Sequence, residues 1–385
     1  MVWLSRRILY PSPARYQRHD LNWLSLGQST LLNSARLPNP SHWSYNKVLN
    51  CIIGSVVADK ILLSGVRATT CRKAPLLCLN PNHLITGTDL MTLWQEYLQP
   101  KTVSEAIYVL ANAPGPALPL AGGTDLILDL DQGRHPPVHT IVDITAVREM
   151  LPLEVRGREL FIGASVSHTR IVESELVAQN AQALVEACGL IGGPQVRNIA
   201  TLGGNVAHAL PAADGTIALL ALDAQAEIAD QAGTRRVPIA ELFLGPGRSA
   251  LTQNELLVGF YLPLQKKAQA SAFERVMRPQ GVALPIINLA VWLMRAQDRI
   301  ADLRIAVGPG GPKPWRALQS EVYLRGKIWN DESLSAALEI LLRDVQFRTS
   351  PHRASSEYRR HLAKSLFTDT LEAAWERAST LEVKK

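Results

Sequence analysis

Gln195-Val-Arg-Asn-Ile-Ala-Thr-Leu-Gly-Gly-Asn-Val-Ala207 is the run on which the fold of this 385-residue chain turns, and it has an upstream counterpart in Leu118-Pro-Leu-Ala-Gly-Gly-Thr-Asp-Leu126. Each is expected to set a pair of glycines at the end of an apolar strand and follows the pair with a polar residue. Without a Cβ, successive amides can turn toward one anion and form a concave nest, with the threonine hydroxyls as further donors. Two such nests from distant parts of one chain can clasp the two halves of a pyrophosphate. Neither is a P-loop, because no Lys-Ser/Thr follows, and neither carries the G-x-G-x-x-G of a dinucleotide-binding fold. A lone Gly-Gly after a strand is ordinarily a tight turn, so the glycines by themselves leave both a turn and an anion cradle open.

Working outward, Thr102-Val-Ser-Glu105 reads as a capping box, and Val103, Ile107 and Leu110 recur at helical spacing, which predicts a helix over 103–112. Strands are expected over 117–121, 139–145 and 159–165, and an apolar helix over 176–187. Residues 226–230 and 235–239 form a hairpin across Gln231-Ala-Gly-Thr234, with further strands over 255–264, 284–295 and 300–307. Two periodic helices, 331–345 and 356–378, close the chain. Strands fill the middle and helices gather at the end, which is α+β and not a regular βαβ array. The small polar segment 266–271 marks a boundary, dividing residues 91–267 from residues 268–385.

The net charge of +6 would raise the question of nucleic acid. Residues 1–90, however, hold ten Lys/Arg and three Asp, so the other 295 residues carry 30 basic and 31 acidic groups. The excess sits in one segment, and nucleic-acid binding is excluded. That segment also holds Cys51, Cys71 and Cys78, leaving Cys188 alone in the remainder. One thiol in so long a stretch fits a reducing cytosol and excludes a disulfide scaffold, so a cytoplasmic location is expected. No uncharged apolar run reaches the ~18 residues of a membrane span. Residues 1–90 are expected to be a non-native or disordered extension, with Met91 as the start of the ordered protein.

Several runs then fall in a recognisable order: Pro119-Leu-Ala-Gly-Gly-Thr-Asp-Leu126, Val142-Asp-Ile-Thr145, Ile162-Gly-Ala-Ser-Val-Ser-His168, Gln195 to Ala207, Pro211-Ala-Ala-Asp214 and Leu220-Ala-Leu-Asp-Ala224. Together they resemble the FAD-binding (medium) subunit of the molybdenum hydroxylases, the family of xanthine, carbon monoxide and aldehyde dehydrogenases. The resemblance covers roughly residues 91–378. It implies a two-part FAD-binding domain of the vanillyl-alcohol-oxidase (PCMH) type followed by a smaller α+β C-terminal domain.

It further implies that Leu120, Ala121, Gly122, Gly123, Thr124, Asp125 and Leu126 wrap the FAD pyrophosphate. Thr201, Gly203, Gly204 and Asn205 would clasp it from the other side, Asp214 would lie toward the adenosine, and Leu257 would cover part of the adenine or flavin ring. The implied partners are a molybdenum-pterin large subunit and a two-cluster [2Fe-2S] small subunit. Electrons would pass from those clusters through FAD to NAD or another acceptor, and no side chain of this chain need act as acid or base. Two departures stand out. Glu274 occupies a place where relatives carry a basic residue, with Arg275 beside it. Where relatives often carry a polar or aromatic residue before the second loop, this sequence has Ile191-Gly-Gly-Pro-Gln195, so the resemblance names no residue to stack on the isoalloxazine.

The alternatives are a self-contained flavin oxidase of the same superfold, for which residues 268–385 are short, and a non-catalytic assembly subunit, against which the intact glycine loops argue. His168 and His208 read as structural histidines, Cys188 as a buried small hydrophobe, and 308–316 as a rigid turn. Arg197 and Asn198 either order the second glycine loop or simply face solvent. No metal-ligand spacing is present.

Overall fold

The computed structural model describes residues 93–278, 284–351 and 353–383. The expected extension over 1–90 and the expected start at Met91 lie outside the described residues.

The first helix, α1 (Val103–Asn112), starts where its cap dictates. Thr102 Oγ1 accepts from the Glu105 amide at 3.2 Å, and Glu105 Oε2 accepts from the Lys101 amide at 2.7 Å. Orphan amides at a helix start are satisfied in this way by short polar side chains. Ala106, Ile107 and Leu110 form its buried stripe. Around it run β1 (Trp94–Leu98), β2 (Ala117–Leu120) and β3 (Val138–Asp143), a parallel sheet in the order β1-β3-β2. Leu98 pairs with Val142 and Leu120 with Asp143, so β1, β2 and β3 finish at one edge. The carboxyl edge of a parallel sheet is where ligand-binding loops gather, and the first glycine loop leaves β2 there. It runs into α2 (Leu126–Asp131).

A second sheet is antiparallel, in the order β4-β5-β10-β6-β7. Its strands are β4 (Leu153–Arg156), β5 (Glu159–Gly163), β6 (Gln225–Asp230), β7 (Gly233–Pro238) and β10 (Leu256–Pro263). A small pair, β8 (Phe243–Gly245) and β9 (Arg248–Ser249), precedes β10. Between β5 and β6 the chain makes six helices: α3 (His168–Val172), α4 (Glu175–Asn180), α5 (Gln182–Leu190), α6 (Pro194–Ile199), α7 (Leu202–Ala207) and α8 (Asp214–Ala221).

Two expectations are corrected in this region. The single helix over 176–187 is broken at Ala181 (φ −150°), where Asn180 turns its Nδ2 back to the Leu176 carbonyl and accepts from the Gln265 amide. The second glycine pair does not end a strand but stands in the first turn of α7, with α6 before it. The segment 266–271, expected as a boundary, runs into a strand that begins at Gln269.

That strand, β11 (Gln269–Met277), leads a four-stranded antiparallel sheet with β12 (Pro285–Ala296), β13 (Arg299–Gly308) and β14 (Trp315–Arg316). The expected turn over 308–316 links β13 to β14. Helices α9 (Leu318–Leu324), α10 (Asp331–Asp344) and α11 (Ser356–Val383) follow. Leu334, Ala337 and Leu341 on α10 and Leu366, Leu371 and Ala374 on α11 join one core with Ile287, Leu289, Val291 and Leu303 of the sheet, with Leu338 and Leu362 packed against it. Phe273, Ala290 and Ala306, from the same sheet, belong instead to the core that contains Ile162 of β5, Ile228 of β6 and Phe260 of β10. The sheet is thus covered on both faces, which is why β12 reads as a continuous apolar run.

Candidate cofactor site

The first glycine loop is held at both ends and left open between them. Leu120 O accepts from the Ile144 amide at 2.9 Å, and Gly123 O accepts from Ile127 at 3.1 Å. Gly123 has φ +68°, a conformation that costs other residues a Cβ clash. Gly122 is required for a different reason. A Cβ on it would lie 2.3 Å from the Ile199 oxygen and 2.8 Å from Ala200 Cα, so the loop rests directly on the backbone turn between α6 and α7. The two glycine stretches, about 80 residues apart in the chain, are therefore in contact. Among the described residues the amides of Gly122, Gly123 and Thr124 have no protein acceptor. Buried or half-buried amides are nearly always paired, so three adjacent uncommitted donors fit an anionic diphosphate.

The second stretch is built in the opposite sense. Thr201 Oγ1 caps α7 by accepting from the Gly204 amide at 3.1 Å. The Leu202 amide goes to Val166 O, that of Gly203 to Ala164 O, and that of Asn205 to Thr201 O. Asn205 Oδ1 accepts from the Thr216 amide at 3.1 Å. A Cβ on Gly203 would meet the Ala164 oxygen at 2.6 Å, so this glycine serves close packing and not amide exposure. Gly204 alone of the pair faces out. The second stretch supports the first loop and presents one open face; its own amides are already spent.

Asp125 precedes α2 but makes no cap bond to it. Its carboxylate reaches His208 Nδ1 across 3.5 Å, which ties the first loop to the end of α7. The hydrogen bond to Asp125 holds His208 above the ordinary imidazole range, and His208 holds Asp125 below the ordinary carboxylate range. The tie is complete between those two titrations. It is lost as pH rises through the raised His208 value and as pH falls through the lowered Asp125 value. The His208 ring, followed by NMR against pH, is expected to titrate above about 6.5 and to fall back in Asp125→Asn; an unmoved midpoint would refute the pairing.

His168, the other histidine, is 1 % exposed, and its amide donates to Ala200 O at 3.1 Å. Burial, reinforced by Arg197, pushes its ring down to about 4, so it is neutral at pH 7. Arg197 ties down the turn before α6 and not the second glycine stretch: its Nη1 donates to the carbonyls of Ile191 and Gly192 at 3.1 and 2.8 Å, where Gly192 has φ +50°. Asn198 Oδ1 accepts from Thr169 Oγ1 at 2.6 Å.

Asp214 opens α8, is 4 % exposed, and spends both carboxylate oxygens on protein. Oδ2 accepts from Arg275 Nη1 at 2.5 Å and Oδ1 from Asn288 Nδ2 at 2.6 Å. Burial pushes this carboxyl up, against the pull of Arg275 and Asn288. Arg275 also donates to Leu190 O, so the basic residue beside Glu274 clamps β11 to the helical segment. Leu257 sits in β10 with its side chain in the first core, 5 % exposed. Cys188 is fully buried, and burial pushes its thiol up.

Sequence reasoning passed over Asp143. At the end of β3 it accepts from Tyr97 Oη at 2.6 Å, Gln99 Nε2 at 2.8 Å and the Thr145 amide at 2.9 Å, fixing the edge from which the first loop departs. Its signals were an acid at the end of an apolar strand and its place in the run Val142-Asp-Ile-Thr145. Among the described residues no group of three His, Cys, Asp or Glu is placed to hold a metal ion, and no helix is long and apolar enough to cross a membrane.

Comparison with known proteins agrees with this geometry. Residues 91–265 match the FAD binding domain in molybdopterin dehydrogenase, and residues 271–374 match the CO dehydrogenase flavoprotein C-terminal domain. The chain is 34 % identical over 277 residues to a putative xanthine dehydrogenase FAD-binding subunit of Escherichia coli (strain K12), covering 70 % of this chain and 92 % of that protein. It is 28 % identical over 284 residues to the carbon monoxide dehydrogenase medium chain of Hydrogenophaga pseudoflava, covering 74 % and 98 %. A solved carbon monoxide dehydrogenase from Hydrogenophaga pseudoflava superposes with a TM-score of 0.70 at 29 % identity, covering 73 % of this chain and 97 % of that one. With the α+β architecture and the open glycine loop, these matches place the chain in the family of FAD-binding subunits of the molybdenum hydroxylases, as an FAD-dependent oxidoreductase subunit of the xanthine dehydrogenase type.

Proposed function

We propose that this subunit takes electrons from iron–sulfur clusters of a partner and delivers them through FAD to NAD or another acceptor. Its partners are then a molybdenum-pterin large subunit and a small subunit with two [2Fe-2S] clusters. The proposal draws support from the relative named a medium chain, a term that implies larger and smaller companions. Bound FAD supplies the two-electron redox chemistry. The chain's own residues bind and orient.

The observation that carries this reading is the set of uncommitted amides at Gly122, Gly123 and Thr124. They would donate to the diphosphate, with Leu120, Ala121 and Leu126 shaping the turn and Asp125 holding it in place through His208. Thr201, Gly203, Gly204 and Asn205 would act as the supporting wall, with Gly204 as the point of closest approach. Asp214 and Leu257 would act from behind, by fixing α8 and β10. Residues 91–267 would form the FAD-binding domain and residues 268–385 the C-terminal domain, working in the cytoplasm.

The experiment is a visible spectrum of the full chain after gel filtration, followed by identification of the cofactor released on denaturation. Flavin absorbance with intact FAD released is the expected result. Co-expression with a molybdenum subunit and a two-cluster iron–sulfur subunit should then give a complex whose substrate reduces the flavin. A folded, colourless protein that still joined those subunits would favour the assembly-subunit alternative and overturn this one.

A further inference from the structure

Arg359 lies in the first turn of α11 and is 2 % exposed, yet among the described residues its Nε and Nη1 have no acceptor. A guanidinium keeps its proton at any physiological pH. A buried charge without a counter-charge is strongly unfavourable. Its surroundings make the deficit worse. Burial, then Arg353 and Arg348, all act to depress the ionisation of Arg359, and burial with Arg348 does the same to Arg353. Among the described residues the charges that act on this guanidinium are both positive.

The three arginines sit on a well-tied stretch of backbone. Arg353 N donates to Ser350 O at 3.1 Å, and Ser350 N donates to Ala354 O at 2.9 Å. Arg278 Nη2 holds the Arg353 carbonyl at 3.1 Å, and Ser356 Oγ donates to Phe347 O at 2.9 Å. Arg360, the next residue, is committed to the carbonyls of Leu342 and Val345 and takes no part. Exposure falls from Arg348, which is exposed, through Arg353, half-buried, to Arg359, buried. Positive charge thus runs from the surface inward, and among the described residues nothing neutralises the Nε and Nη1 of Arg359.

We propose that Arg348, Arg353 and Arg359 form a binding site for the phosphate group of a small ligand, on elements that carry neither glycine stretch. Three guanidiniums ask for more than one negative charge and more than two acceptor oxygens. A phosphate group carries about −1.5 to −2 charges and three strong acceptors, and arginine forks match it in a bidentate manner. A single carboxylate leaves the site half satisfied. The phosphate comes either from inorganic phosphate or from a nucleotide, and the two are separable by experiment.

The experiment uses the full chain saturated with FAD, so that added phosphate does not report on the glycine loops. Inorganic phosphate and ADP are titrated at constant ionic strength, and thermal midpoint and calorimetric binding are recorded. A ligand that binds only the folded state raises the midpoint saturably. Arg348→Ala and Arg353→Ala are each expected to weaken binding about tenfold or more, the value of one charge-assisted hydrogen bond, with flavin content unchanged. Arg359→Met is expected to abolish the response and to raise the midpoint in phosphate-free buffer, because it removes an uncompensated buried charge. ADP binding at least about tenfold tighter than phosphate assigns the site to a nucleotide, and equal binding assigns it to free phosphate. Absence of any response at constant ionic strength, or a response unaltered in Arg348→Ala and Arg353→Ala, overturns the proposal even if Arg359→Met fails to fold.

Discussion

Gly122→Val is expected to yield a folded protein that has lost its flavin absorbance. The reason lies in the 2.3 Å that would separate any Cβ at this position from the Ile199 oxygen. Backbone cannot rotate out of the way as a side chain can, so the first loop must lift from the α6–α7 turn. Overpacking of this kind costs about 1–3 kcal/mol, which a protein of this size tolerates. The amides of Gly122, Gly123 and Thr124 would no longer converge, and FAD affinity should fall at least about a hundredfold. Far-UV circular dichroism and the thermal midpoint distinguish a lost site from a lost fold. Gly203→Ala is the informative contrast. Its Cβ would press on Ala164, beneath α7 and away from the open amides, so its first effect should be on stability, with flavin lost only as the protein unfolds. Full FAD stoichiometry in Gly122→Val would refute the assignment of the first loop.

The place of the first loop was legible in the sequence because its Gly-Gly closes a short apolar run, and the strand before it was read to within a residue. Helix α1 was legible because its start is written in local chemistry, Thr102 and Glu105. The second stretch misled for the same local reasons. Glycine is a poor helix former, yet Thr201 caps α7 and Ala164 fits against Gly203, so tertiary contacts override propensity. Helix α8 was missed because all eight of its residues are buried. A helix surrounded by protein has no polar face, so it shows no 3.6-residue period to detect. The pairings that finish the site, Asp125 with His208 and Gly122 with Ile199, join residues 83 and 77 positions apart. One sequence, read locally, carries no signal for them.

Asp214→Ala is the second substitution with a large expected effect, and it acts through stability. The resemblance to the family placed this carboxylate beside the cofactor, whereas the structure gives both of its oxygens to Arg275 and Asn288. Removing it leaves Arg275, whose side chain is only 4 % exposed, as a buried charge with its Nε already unpartnered. Breaking one side of such a pair typically costs about 3–5 kcal/mol, enough to shift a denaturation midpoint plainly. The cost should be local in origin and not a matter of the bond's own strength. Replacing both partners, as in Asp214→Leu with Arg275→Met, leaves no orphaned charge, so the double variant should be more stable than Asp214→Ala alone. Flavin content then separates the two roles. If Asp214 only clamps α8 to β11 and β12, FAD lost from Asp214→Ala at elevated temperature returns in the double variant. If it touches the cofactor directly, the double variant regains its fold and stays short of FAD.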